Sequence, residues 1–312
     1  MSNDFDVVIA GGGPAGMSAA LILGRARRKV LLCDAGTPRN ARAHGVNGFV
    51  TRDGTPPAEM RAIAARERAK YPNVASRSVL VESITGSAGA FTVGLGDGSA
   101  VTASRVILAG GVVDSFPETP GIAEGWARFI FPCPFCDGWE RQDKPWGALV
   151  TSANISVPPA MIVEWVQVLS TWTSDLVLFT NATADSDALA AQIEGLGRGL
   201  RVETEAVARV VPQAGSDGQR LDFVELASGK RVAREALFMR PFQSPTPLVQ
   251  KLGLALDANG YVRVDARKES SIPGILVVGD ATTMMQGALL GAADGAMAAY
   301  ATHHALAVHA AH

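Results

Sequence analysis

Short apolar runs alternate along this chain with glycine turns and small-residue helical stretches. Phe5-Asp6-Val7-Val8-Ile9-Ala10 has strand length and leads into Gly11-Gly12-Gly13-Pro14-Ala15-Gly16, followed by a helical pattern from Met17 to Leu23. Unbroken apolar runs bounded by turns and helices read as strands buried on both faces of a parallel sheet. Further runs cover Lys29 to Cys33, Arg105 to Gly111, Trp146 to Val150 and Asp175 to Phe179. Near the far end Ile272 to Ala281 closes on Gly279-Asp280, and a small-residue helix is predicted from about Gln286 to His304. Gly94 to Gly98 and Gly215-Ser216-Asp217-Gly218 read as hairpin turns. The pattern predicts an α/β fold with two α/β halves.

Composition narrows the partner. The chain has 312 residues, 47% of them hydrophobic, enough for two domains. A net charge of −2 gives neither nucleic acid nor an anionic membrane electrostatic support. No run of eighteen apolar residues occurs, and Ser2-Asn3-Asp4-Phe5-Asp6 is acidic where a secretory leader would be basic, so a cytoplasmic location is expected.

Three cysteines do not make a disulfide scaffold in a reducing cytosol, yet Cys133 and Cys136 stand two residues apart with Asp137 directly after them. Thiols at that spacing can close a small ring, and the thiolate is the reactive form. Half a zinc site and two core cysteines are the alternatives; the first lacks partner ligands at the matching spacing.

The strand, glycine turn and helix at the start form a dinucleotide fingerprint. Gly11 allows the tight turn, Gly13 lets the backbone approach a pyrophosphate, and Gly16 lets the helix pack on the strand. Asp34 ends the second strand, where an acid accepts hydrogen bonds from a ribose diol, as in FAD or NAD. Gly279-Asp280 could be an ordinary turn with a capping aspartate.

Together with the N-terminal motif, however, Gly279-Asp280 resembles the C-terminal motif of the two-dinucleotide-domain flavoprotein disulfide reductases. There the aspartate binds the ribityl and pyrophosphate part of FAD. Ala109-Gly110-Gly111 resembles the turn that carries the chain out of the FAD domain, with glycine in place of threonine. The resemblance implies FAD held by Gly11, Gly13, Pro14, Ala15, Gly16, Asp34, Asn47, Gly110, Gly279, Asp280 and Gln286, the last through its amide at the isoalloxazine.

With the cysteine pair after that crossover, the chain resembles the low-molecular-weight thioredoxin reductases. This implies a thioredoxin reductase-like FAD domain at 1–114 and 243–312, an inserted central domain at 115–242, and a homodimer. Pro117 to Pro120 and Pro241 to Pro247 mark the crossings. By the same resemblance Cys133 exchanges with the substrate sulfur, Cys136 faces the flavin and Asp137 handles protons. Pro134 removes one amide donor and stiffens the turn.

Such a central domain should carry a second glycine fingerprint for NADPH. The expected turn instead reads Thr151-Ser152-Ala153-Asn154-Ile155-Ser156, followed by Val157-Pro158-Pro159 at the helix start. After the next strand Thr180 to Asp185 contains no arginine or lysine for a 2′-phosphate. Without glycines, amides or cations the site should bind NADPH poorly. Cys133 to Glu140 and His44 to Gly54 resemble the thioredoxin reductase-like dithiol oxidases that close disulfides in gliotoxin, holomycin and romidepsin. The expected reaction is oxidation of a small-molecule dithiol by O2, through the cysteine pair and FAD, releasing hydrogen peroxide. A single fixed domain orientation, with Cys136 against the flavin, is expected. The rivals are a reductase using NADPH or another donor and a non-catalytic flavin-binding sensor.

Cys33 is expected to be inert core. His44, His303 and His304 are candidate assistants, with solvated or helix-end roles as the plainer reading. Trp126, Trp139 and Trp146 could line an apolar pocket or fill space between domains. Met284, Met285 and Met297 read as core filler.

Overall fold

The computed structural model describes residues 4–151, 157–183, 185–197 and 199–309. The chain divides into two compact units, one running to Val113 and resuming at Ser244, the other spanning Asp114–Gln243.

In the first unit, parallel strands Asp4–Ala10, Val30–Cys33 and Val74–Arg77 lie side by side, and Asp4–Ala10 also pairs in parallel with Ala100–Leu108. The other edge of Ala100–Leu108 is shared. Its first half continues an antiparallel meander through Ala90–Leu95 and Val81–Ser87, and its second half pairs with Ile275–Val277. Val7, Val8, Ile9, Val106 and Ile107 are wholly buried, as expected for strands covered on both faces. Gly94 pairs with Ala100 at the foot of the expected hairpin.

Helices Pro14–Arg25 and Ala288–His309 cover one face of this sheet. A Cβ on Gly295 would lie 2.0 Å from the Ala15 carbonyl oxygen, so the helices touch backbone to backbone. That contact corrects the reading of the methionines. Gly291, Gly295, Ala298, Ala299 and Thr302 take the packed side of the long helix, which leaves Met297 and Tyr300 outward at 46% and 64% exposure. Met284 and Met285 are also exposed, and the helix begins at Ala288, placing Gln286 in the irregular segment before it.

The second unit is a parallel sheet in the order Leu200–Glu203, Leu176–Phe179, Trp146–Leu149, Ala236–Met239, Ile130–Phe131. Helices Pro159–Leu169 and Ser186–Glu194 follow successive strands, and an antiparallel sheet of Val207–Pro212, Leu221–Leu226 and Arg231–Ala233 completes it. Gly215 to Gly218 joins the first two strands of that antiparallel sheet.

Candidate active site

The cofactor cradle is assembled from chain segments far apart in sequence. Gly11 has a φ of 113°, and a Cβ there would lie 2.4 Å from the Ala109 carbonyl oxygen, which seats the glycine turn on the crossover before Gly110. A Cβ on Gly16 would meet the Gly11 oxygen at 1.9 Å, so helix and turn are in backbone contact. Gly13 differs: it is the helix N-cap, with Pro14 in the first helical turn, and a Cβ there would meet no protein atom within 4 Å. Tight packing behind the turn with room in front of it fits a pyrophosphate.

The acids lie beside this turn. A Cβ on Gly12 would sit 2.5 Å from Asp34 Oδ2, a reason for glycine at this position that spacing did not reveal. Asp34 Oδ1 accepts the Gly36 N–H at 3.2 Å. A Cβ on Gly279 would reach that of Ala15 at 3.3 Å, and one on Gly111 would reach Asp280 Cβ at 4.0 Å. The structure therefore gathers Gly11, Gly13, Pro14, Ala15, Gly16, Asp34, Gly110, Gly279 and Asp280, with Gln286 joined through Arg39. Arg39 had no sequence signal: its Nη1 donates to Asp280 Oδ2 at 3.1 Å and to Gln286 Oε1 at 2.7 Å. Asn47 sits in a separate loop closed by Val46 pairing with Thr55 and by Gly48 N–H donating to Asp53. His44 is exposed, as is His304, while His303 Nδ1 accepts from Arg28 Nε at 3.1 Å.

The redox pair opens a one-turn helix, Pro134–Asp137, for which Cys133 is the N-cap. The cysteines are unbridged, with Cys136 Sγ donating to Cys133 Sγ at 2.7 Å. The Cys133 thiol is brought down to about 7: the Cys136 thiol and the N–H groups of Cys136 and Phe135 stabilise its thiolate, against burial and the Asp137 charge. A site thiol at that value is substantially ionised near neutral pH. Burial has the opposite effect on Cys33, pushing it up to about 11, and it lies inert in the core.

Burial also pushes the Asp137 carboxyl up to about 6; Arg141 pulls it down and Glu140 adds a little upward. Arg141 is a second residue that sequence reading missed. Its guanidinium donates to the carbonyls of Asp137 and Arg128 and lies 4.0 Å over the Phe131 ring. A carboxyl poised near 6 can take up a thiol proton at neutral pH. Because its folded-state value exceeds the ordinary one, folded protein keeps this proton where unfolded chain has lost it. Stability therefore falls as pH rises through the window from about 4 to about 6. Asp137→Asn is expected to stabilise the protein at pH 7 by on the order of 2 kcal/mol in denaturant titration. The same variant should slow thiol oxidation and lose the rise in rate through pH 6, a stability–activity exchange.

The tryptophans divide. Trp146 is fully buried, its ring 4.4 Å from Phe238 and its Nε1 donating to the Arg141 carbonyl; Trp126 is core beside Phe116. Both are buried in the core of the second unit. Trp139 is 71% exposed, and the exposed Phe135 ring meets Trp172 edge-on at 5.2 Å.

Of the expected second nucleotide turn, residues 152–156 lie outside the described residues. Thr151 is buried and its hydroxyl donates to the Arg240 carbonyl. The following helix starts at Pro159 with Pro158 as its N-cap. Asn181 is committed to the Val207 N–H, and the Thr180 hydroxyl to Ser186.

A glycine cradle with an acid beside it, and a dithiol with an adjacent carboxyl on a separate α/β unit, define a disulfide oxidoreductase of the two-dinucleotide-domain class. The chain belongs to the pyridine nucleotide-disulphide oxidoreductase family, whose model matches residues 5–305. It is 32% identical over 310 residues to the "Probable thioredoxin reductase" of Arthroderma benhamiae, covering 89% of this chain and 74% of that one. Among solved structures it is similar to the oxidoreductase from Agrobacterium tumefaciens (34% identity, 99% of both chains, TM-score 0.87). It is equally similar to HlmI (33% identity, 100% and 97% of the chains, TM-score 0.86). These matches make it a thioredoxin reductase-like flavoprotein. Among the described residues, no helix is long and apolar enough to cross a membrane.

Proposed function

We propose that the protein is an FAD-dependent dithiol oxidase that closes a disulfide in a small-molecule dithiol, with O2 as acceptor and without NADP(H). The observation that carries this is the contrast between the two nucleotide turns. The Gly11–Gly16 turn keeps its glycines and the room in front of Gly13, whereas Thr151, Ala153 and Ser156 stand where the first turn has Gly11, Gly13 and Gly16. Pro158 and Pro159 further remove two amides from the helix start. The redox pair and its proton acceptor are meanwhile complete. The curated relative reported above is named a reductase; what supports oxidation here is the altered second turn.

In this reading the Asp137 carboxylate takes the proton of one substrate thiol. The resulting thiolate attacks Cys133 Sγ of the Cys133–Cys136 disulfide, that S–S bond breaks, and Cys136 leaves as a thiolate. The second substrate thiol gives its proton to the Cys136 thiolate and attacks the substrate sulfur of the mixed disulfide, so that the bond to Cys133 breaks and Cys133 leaves as a thiolate beside the Cys136 thiol. A thiol with a lowered pKa is the better leaving group, so the value of about 7 at Cys133 speeds this second displacement. Two electrons have then passed from substrate to the cysteine pair, with one proton on Cys136 and one on Asp137. FAD, held by the glycine turn and Asp280, would supply the acceptor for these electrons and their route to O2, with hydrogen peroxide as the product.

Under anaerobic conditions, dithiothreitol is expected to bleach the flavin absorbance and micromolar NADPH to leave it unchanged. In air, a dithiol should consume O2 and release peroxide without any nicotinamide. Rapid bleaching by NADPH would instead assign the protein as a reductase. Turnover no faster than background with every dithiol, despite a bound flavin, would assign it as a sensor.

A further inference from the structure

We propose that Arg39 is a positioning residue of the cofactor site, holding Asp280 and Gln286 together and compensating the Asp280 carboxylate beside an anionic dinucleotide. The proposal rests on the reading of this unit as the FAD site. Arg39 lies in the irregular segment after the strand ending at Cys33, whereas Asp280 stands in the single turn Gly279–Thr282 and Gln286 precedes the long helix. One guanidinium nitrogen reaches both side chains, at 3.1 Å and 2.7 Å. The Gln286 amide in turn donates to the carbonyls of Asp280 and Thr283 at 3.4 Å and 3.2 Å. Three separate segments are thereby tied beside the glycine turn, where Gly279 packs on Ala15 and Gly111 faces Asp280.

A cation at this place has an electrostatic purpose. FAD carries two phosphate charges, and a carboxylate placed to accept a ribityl hydroxyl repels them unless its own charge is offset. The Arg39 and Asp280 side chains are only 25% and 26% exposed, so solvent screens this pair less than one on the open surface. A guanidinium hydrogen-bonded to both Asp280 and Gln286 also fixes their rotamers before the cofactor arrives, lowering the ordering cost of binding.

Apoprotein is titrated with FAD, following flavin fluorescence and the visible absorption band, for the wild type, Arg39→Gln, Arg39→Lys, Asp280→Asn and the double variant Arg39→Gln/Asp280→Asn. Arg39→Gln is expected to raise the FAD Kd about tenfold or more and to shift the absorption band of the bound flavin; Arg39→Lys, which keeps the charge, should stay within about threefold. The double variant should bind FAD more tightly than the product of the single losses, because the uncompensated carboxylate is gone. A Kd within about twofold of wild type for Arg39→Gln, or strict additivity in the double variant, would overturn the proposal. If Arg39→Gln does not fold, a tenfold loss in Arg39→Lys overturns charge compensation and retained affinity supports it. A wild type that takes up no FAD overturns the flavin reading, and this inference with it.

Discussion

Replacing Cys136 by alanine is expected to lower dithiol oxidation by roughly a thousandfold or more while leaving FAD affinity within about twofold. The reaction needs a sulfur–sulfur bond that opens and recloses, and with one sulfur missing no bond exists for a substrate thiolate to attack. The effect on the remaining cysteine is specific to this geometry. The Cys136 thiol is the largest stabiliser of the Cys133 thiolate, so its removal should move the Cys133 thiol up from about 7 toward the ordinary thiol range. The pH dependence of iodoacetamide alkylation at Cys133 reads this directly, since only the thiolate reacts. An unchanged inflection would show that burial and the backbone amides set the value instead. Cys133→Ala should abolish oxidation equally, and neither variant should let anaerobic dithiothreitol reduce the flavin at the wild-type rate. Cys33→Ala, buried in the sheet of the other unit, should retain activity.

Gly13→Val is expected to weaken FAD binding by roughly a hundredfold or more while leaving the fold intact, the second large effect. Gly13 has φ −71° and ψ −177°, a conformation open to any residue, and a Cβ there meets no protein atom within 4 Å. The new side chain therefore costs the apoprotein little, and it fills the space through which a pyrophosphate approaches the helix start. Gly16→Val makes the instructive comparison. Its Cβ would lie 1.9 Å from the Gly11 oxygen, so turn and helix must separate, and the apoprotein itself should lose stability. Thermal unfolding of the two apoproteins, beside FAD titration, distinguishes them: Gly13→Val should melt near wild type and Gly16→Val clearly below it. Equal melting temperatures with equal loss of FAD would show that the two glycines serve one function.

What could be read in advance was whatever leaves a mark on residue type at short range. A backbone at φ 113° asks for glycine, a strand covered on both faces asks for an unbroken apolar run, and dithiol chemistry asks for two cysteines close in the chain. Gly11, the strand at Asp4–Ala10 and Cys133–Cys136 are therefore visible without coordinates. Arg39 was not, because an arginine in a loop has the same appearance whether it faces water or Asp280, 241 positions later. Arg141 had no distinguishing spacing either: its role comes from the Phe131 ring and the carbonyls of Asp137 and Arg128, which only folding brings to it. The methionines were misread for a related reason. Hydrophobic character says that Met297 can be buried, but the close helix contact through Gly295 decides which side of the helix has room. Trp146 stands near the cysteines in sequence, yet its strand lies inside the sheet and carries it into the core.

By itself, then, the sequence determined the α/β class, the cofactor turn, the redox pair and the altered second turn, because each depends on local backbone geometry or on covalent chemistry within a few residues. Only the tertiary structure decided how the site is held and charged: Arg39 on Asp280, the Cys136 hydrogen bond to Cys133, the burial that raises Asp137. Hydrogen bonds and desolvation depend on distances between atoms, and folding sets those distances independently of separation along the chain.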